Sequence, residues 1–206
     1  MARRSEHSLE ELKALVLSTA ETIVIEEGFS ALKVRTIAME IGYTVGSIYM
    51  VFTNMADLIM HINAGTLDAI ATQLESEQVQ KEGSAEQSIQ VMASSYLRYA
   101  SQNFNRWRPV LDYSLSVDSK ITAWYQEKVD RVFALLEVPF LELAPELSED
   151  HRQRAVRALW FGVHGTCALS LTGQRDKTDI DDIEATIALL VKNFMRGLSL
   201  SPSECV

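Results

Sequence analysis

Apolar residues recur along this chain three or four apart, the spacing of one face of a helix, and no stretch alternates as a half-buried strand would. The first stripe runs Leu9, Leu12, Leu15, Val16, Ala20 and Ile23, and Ser8 with Glu11 three residues on is the signature of a capping box. Gly28 stands where the glycine after a helix stands. A second, short helix is predicted over about 34–41, with Ile37, Ala38 and Ile41 inward and Gly42 ending it. A third, over about 46–52, carries Ile48 and Phe52 on one side. Asn54 reads as the N-cap of a longer helix through Leu58, Ile62 and Leu67 to about Gln78.

Beyond a polar break at 82–85, Ile89, Met92, Tyr96 and Tyr99 mark a helix ending before Asn105. Pro109 suits the first turn of the next one. Asp118 is placed to open a helix through Ile121, Trp124, Val129 and Val132, with disruption expected at Val138-Pro139. Two final helices, Glu149 to about Leu171 and Asp179 to about Leu198, flank the polar stretch TGQRDKTD. The expected fold class is all-α.

Composition supports that reading, since 9 Gly and 4 Pro in 206 residues leave room for long uninterrupted helices. Hydrophobic residues at 47% and charged residues at 23% are a globular profile. Cys167 and Cys205 are too few for a disulfide framework or a zinc site, and His7, His61, His151 and His164 are scattered, so no metal and no cofactor are expected. The N-terminal MARRSEHSLEEL turns acidic where a signal peptide needs an apolar core, and no apolar run would span a membrane. A cytoplasmic protein is expected. No Ser-His-Asp, Cys-His, paired-carboxylate or phosphate-cradling pattern stands out, so no catalytic residue is named and an enzyme is not expected.

The net charge of −9 argues at first against a nucleic-acid partner. Two short helices joined through Gly42 nevertheless have the layout of a helix-turn-helix, whose second helix must enter a major groove about 12 Å wide. The segment 43–49, YTVGSIY, holds no acidic residue and offers the hydroxyls that phosphates and base edges accept from. In this reading Tyr43, Thr44, Val45 and Ser47 face the groove, Tyr49 holds a phosphate, and Gly46 lets the backbone approach closely. Lys33, Arg35 and Thr36 position the phosphate backbone. Residues 1–60 carry a net −3, mostly from the first helix, but 33–54 hold Lys33 and Arg35 against Glu40, a net +1. Arg3 and Arg4 add a short basic arm. A weakly basic footprint of this kind predicts a modest salt dependence of binding.

From Gly28 to Leu58 the chain resembles the N-terminal domain of the TetR family of transcriptional regulators. Gly28, Ile37-Ala38, Gly42, Tyr49, Phe52 and Leu58 match its glycine, Ile-Ala, glycine and Tyr-x-x-Phe-x-x-Lys-x-x-Leu pattern without gaps. Met55 replaces the family's Lys, and Lys33 stands where Thr is common, so one phosphate contact has moved between flanks. Trp160, His164 and Gly165 also resemble the Trp-His-Gly signature of one C-terminal subgroup. The resemblance implies a helix-turn-helix domain over 1–54, a helical effector-binding and dimerisation bundle over 55–200, and a tail over 201–206.

The resemblance further implies a small-molecule effector held among the middle helices, where Met92, Tyr96, Trp107, Tyr113 and Trp124 are the candidates. The Glu149–Leu171 helix is apolar on two sides, along Val156, Trp160, Val163, Cys167 and Leu171 and along Ala155, Ala158, Gly162, Gly165 and Leu169. Two apolar sides need two partners, so Trp160, His164, Cys167, Ile187 and Phe194 are assigned to a homodimer interface. A homodimer reading a palindromic double-stranded operator, released by an apolar or aromatic ligand, is the resulting expectation. Two rival readings are a small helical enzyme, which would turn over a substrate and ignore DNA, and a helical protein-protein adaptor, which would pair only with a different chain.

Overall fold

Ser8 opens α1 (Leu9–Glu27) by accepting from the Glu11 N–H at 3.2 Å, while the Glu11 carboxylate takes the Ser8 N–H at 2.7 Å. Those bonds hold the Glu11 carboxyl below its ordinary range, the backbone one most strongly. The computed structural model describes residues 7–79, 83–110, 121–172 and 179–200. Among them every regular element is helical: a 3-10 turn (Phe29–Ala31), α2 (Val34–Glu40), α3 (Val45–Ile48), α4 (Met55–Val79), α5 (Ala85–Gln102), α6 (Phe104–Trp107), α7 (Ala123–Leu143), α8 (Glu149–Thr172) and α9 (Ile180–Leu200). The expected all-α class holds. Arg3, Arg4, Tyr113, Asp118 and Cys205 lie outside the described residues. No helix among the described residues is long and apolar enough to cross a membrane.

Packing divides the chain into two compact units, Met1–Leu67 with Asn105–Tyr125, and Asp68–Phe104 with Gln126–Val206. The first is centred on Leu12, Val16, Ile23, Ile37, Ile48, Phe52, Leu58 and Ile62, all at least nine-tenths buried. Within Leu12–Ile23, Ile48–Phe52 and Leu58–Ile62 these positions lie four or seven apart, which is why the stripe was readable. Leu9 departs from it, 57% exposed at the first turn of α1. A polar seam completes this unit. The Asn105 side chain donates to the Ile25 carbonyl at 2.9 Å, satisfying one of the orphan carbonyls at the end of α1. The Arg106 guanidinium lies 3.6 Å from Glu21, and Thr66 donates to the Arg106 carbonyl at 3.4 Å. Gly65 makes room for that ion pair, since a Cβ there would sit 3.2 Å from the Glu21 carboxylate.

In the second unit α9 packs against α5 and α8. The residues Ile89, Met92, Tyr96 and Tyr99, predicted as one stripe, are all buried. Lys128 reaches both Asp68 oxygens at 2.8 Å and Arg131 reaches Glu75 at 2.7 Å, so α7 is clasped to α4.

The expected break at Val138-Pro139 is corrected, because α7 continues through Pro139 to Leu143. A proline inside a helix removes the N–H that would bond the carbonyl four residues back. That carbonyl belongs to Leu135, and the Gln78 side-chain amide donates to it at 2.7 Å. The continuation keeps Leu136 and Phe140 one turn apart on one face, both buried.

Candidate nucleic-acid interface

The candidate face begins where α2 stops. The Tyr43 N–H donates to the Ala38 carbonyl at 2.9 Å and the Gly42 N–H to the Met39 carbonyl at 3.3 Å, with Gly42 at φ 71°. This is a Schellman closure, and it needs a residue without Cβ at that φ. One residue further on, Thr44 caps α3: its hydroxyl oxygen accepts the Ser47 N–H at 3.2 Å and lies 2.9 Å from the Ser47 hydroxyl. Thr44 thus has a structural task that sequence reasoning missed, although the Thr-x-x-Ser spacing at a helix start could have signalled it. α3 proper spans Val45–Ile48, shorter than expected, and the chain then turns so that Phe52 as well as Ile48 reaches the core.

Lys33, Arg35, Thr44 and Gly46 are exposed, and Tyr49 is 45% exposed. Thr36 and Ser47 are half-buried. Tyr43 and Val45 are half-buried too, and both pack against the core of this unit. A Cβ at Gly46 would meet only the Thr44 hydroxyl oxygen, at 3.6 Å, an ordinary contact, so nothing within the chain requires glycine there. Met55 leans on the same core, which accounts for an apolar residue at the place of the expected Lys. Asn54 caps α4 as predicted, accepting the Asp57 N–H at 2.9 Å, and the Asp57 carboxylate takes the Thr53 N–H at 2.9 Å.

Three residues of this unit went unread. Met39 and Met50 are 77% and 68% exposed, although methionine at helical spacing usually signals core. His7 is exposed, and its Nδ1 lies 2.7 Å from the Tyr43 hydroxyl, a contact spanning 36 residues that no local pattern announces. Trp124, a ligand candidate, stacks on His61 with ring centroids 4.6 Å apart, and Phe52 meets that imidazole edge-on. Burial there, reinforced by the Lys13 ammonium, holds His61 below the ordinary imidazole range, and Asp57 at 3.7 Å opposes this only in part.

Two family models match the sequence. One, described as bacterial regulatory proteins of the tetR family, covers residues 16–62, the span holding α2, α3 and the turn between them. The other, a tetracyclin repressor-like C-terminal domain, covers residues 89–194, more than half of the chain. The chain belongs to the TetR family of transcriptional regulators. A 24% identical HTH-type transcriptional regulator of Mycobacterium tuberculosis aligns with 84% of this chain and 77% of its own length. Among solved structures, a TetR transcriptional regulator from Rhodococcus sp. RHA1 superposes with a TM-score of 0.63 at 14% identity, covering 91% of this chain and 97% of that one. The Bacillus subtilis regulator FadR, solved with stearoyl-CoA, gives 0.57 at 16% identity, covering 89% and 98%.

In the C-terminal part of this TetR-family chain, Ile89, Met92, Leu136, Phe140, Val156 and Trp160 line a small apolar crevice of about 30 Å³ between α5, α7 and α8. Met92 is the one ligand candidate among its lining residues. Tyr96 adjoins it, its ring 4.2 Å from Trp160 and its hydroxyl 2.6 Å from His164 Nδ1. Trp107 is buried in the other unit. Of the interface candidates, Cys167 and Ile187 are fully buried inside the protomer, His164 nearly so, and Phe194 is half-buried. Burial pushes the Cys167 thiol up to about 12, leaving it unionised. Gly162 serves the packing of the single chain, for a Cβ there would lie 3.1 Å from Leu190 of α9, whereas nothing within 4 Å faces Gly165. Phe161, Leu169, Ile180 and Leu189, at 57%, 79%, 42% and 61% exposed, are the large apolar side chains these two helices present outward among the described residues. Among the described residues no group of three or more His, Cys, Asp or Glu is arranged to hold a metal.

Proposed function

We propose that this TetR-family regulator is a repressor that binds a palindromic operator as a homodimer and is released by a small apolar or aromatic ligand. The observation that carries the DNA part is the acid-free face Tyr43–Tyr49, anchored from behind by Ile48 and Phe52 and flanked by exposed Lys33 and Arg35. Residues 1–54 do the reading. There Lys33, Arg35, Thr36 and Tyr49 hold the phosphate backbone, while Tyr43, Thr44, Val45, Gly46 and Ser47 approach the groove. One short recognition helix reads few base pairs, so two copies reading a palindrome supply the missing specificity.

The body over 55–200 senses the effector and dimerises. Phe161, Gly165 and Leu169 lie four apart along α8 and, with Leu189 of α9, form the surface a second copy covers. Cys167 and Ile187 lie on the same two helices but are buried within the protomer. The crevice at about 30 Å³ is far below the roughly 300–1,000 Å³ of small-molecule pockets, so a ligand must part α5, α7 and α8 to enter. Such a ligand favours the opened state, and this differential affinity is what shifts the protein away from DNA. The stearoyl-CoA held by the Bacillus subtilis neighbour makes a long acyl chain the first effector to try. The chain acts in the cytoplasm, where its DNA lies, and carries out no catalysis.

Selection of bound duplexes from a random pool at fixed salt tests the reading. An enriched palindrome supports it; an enriched site without symmetry, or no enrichment, refutes it.

A further inference from the structure

We propose that Met50 is a specificity-determining residue of the reading face, its thioether packing on the C5-methyl group of a thymine in the major groove. The inference rests on the reading that the face Tyr43–Tyr49 enters that groove. From Ile41 to Ala56 the chain carries no charged side chain. Over 43–52, the stretch holding α3 and the turn after it, there is no Asn or Gln either. Guanine is matched by Arg or Lys, adenine by Asn or Gln, and cytosine by Asp or Glu, so the usual partners of all three bases are missing. Hydroxyls and apolar contact remain. The Thr44 and Ser47 hydroxyls lie 2.9 Å apart, and that of Thr44 also takes the Ser47 N–H. Apolar contact is thus the least committed means of base discrimination, and the apolar group a base edge offers in the major groove is the thymine methyl.

Met50 is the side chain placed to use it. Ile48 and Phe52 belong to the core, and Tyr43, Val45 and Val51 pack against it. Met50 stays 68% exposed. Helical bonding continues past α3, with the Tyr49 N–H on the Val45 carbonyl at 3.3 Å and the Met50 N–H on the Ser47 carbonyl at 3.2 Å. Met50 therefore follows Gly46 and Ser47 by one turn. Helical side chains lean toward the N-terminus, which carries the thioether toward the part of the face where those two residues approach the groove. Such a chain is flexible and polarisable, so it adapts to the shape of a methyl group. Met39 provides the contrast. It is 77% exposed on α2 but follows Arg35 and Thr36 by four and three residues, on the side given to the phosphate backbone, which carries no base information.

The test takes a duplex that the wild-type chain enriches from a random pool at fixed salt. Each of its thymines is replaced in turn by deoxyuridine, which pairs identically and lacks only the methyl. Fluorescence anisotropy titrations with the full chain read the loss. Covering one methyl is worth about fourfold in affinity, so at one thymine the wild type should lose about fourfold per half-site and about fifteenfold for both. Met50→Ala should bind the parent duplex more weakly by a similar factor and lose nothing further at that thymine. Met50→Leu, which keeps an apolar end, should retain the penalty, and Met39→Ala should behave as the wild type. Penalties at thymines touched by Thr44 or Val45 persist in Met50→Ala, so the difference between the two proteins isolates Met50. A wild type indifferent to deoxyuridine at every thymine, an enriched site without thymine, or equal penalties in wild type and Met50→Ala overturns the proposal while the DNA reading stands. A pool in which no duplex is enriched brings down both.

Discussion

Replacing Gln78 tests the account of the proline in α7. Pro139 leaves the Leu135 carbonyl without its helical donor, and the Gln78 amide supplies one at 2.7 Å. The bond is only part-buried, so water partly compensates its loss, and Gln78→Ala should cost about 1–2 kcal/mol. In a chain of this length that is a fall in Tm of about 2–8 °C. Pro139→Ala restores a backbone N–H opposite the same carbonyl, and in that background Gln78→Ala should cost under about 0.5 kcal/mol. Urea denaturation of the four proteins gives the cycle, with an expected coupling of about 1 kcal/mol. Equal losses in both backgrounds would refute the reasoning and make Gln78 a packing residue only. The outcome bears on effector binding, because Leu136 and Phe140 line the crevice together only if α7 runs unbroken across Pro139.

Other predictions concern the reading face and its support. Lys33→Ala and Tyr49→Phe should weaken binding alike on all sequences, and Lys33→Ala should lower the salt slope by about one, measured by anisotropy titrations at several salt concentrations. Thr44→Ser keeps the cap on α3 while removing a methyl, so it should change sequence preference at unchanged stability; Thr44→Ala should also lose about 1 kcal/mol in a thermal melt. Gly46→Ala should fold as well as the wild type yet bind DNA less tightly, and unaltered binding would show that the backbone does not approach the duplex there. His61, held below the ordinary imidazole range when folded, binds protons less readily than in the unfolded chain. Its contribution to stability is therefore present above about pH 6.5 and is lost as the pH falls through the lowered folded value. His61→Gln should flatten that part of the stability profile in urea melts taken at stepped pH.

Much of the first unit was legible because its determinants are local. The capping box at Ser8, the glycine at φ 71° after α2, the N-cap at Asn54 and the buried stripe each depend on residues within one or two turns. The family pattern from Gly28 to Leu58 is of the same kind. Periodicity also marked the buried side of α5 correctly. It could not say which side of a helix that is apolar all round meets its own chain. Gly162 looked like a place for a second subunit and instead receives Leu190. Nor could periodicity say that Trp124, named as a ligand candidate, stacks on His61.

By itself, then, the sequence determined the all-α class, the order of the main helices with the ends of those whose caps are local, and the family of the reading head. Helix propensity, capping and turn chemistry act over a few residues, and that is where pattern has power. Only the tertiary structure decided what depends on distant partners. It supplied Pro139 with a substitute donor 57 residues from the carbonyl that needs it. It set His7 against Tyr43, and it turned Cys167 and Ile187 inward while leaving Phe161 and Leu169 outside. Each of these is a meeting of side chains from separate helices, and no spacing within one helix encodes which neighbour will arrive.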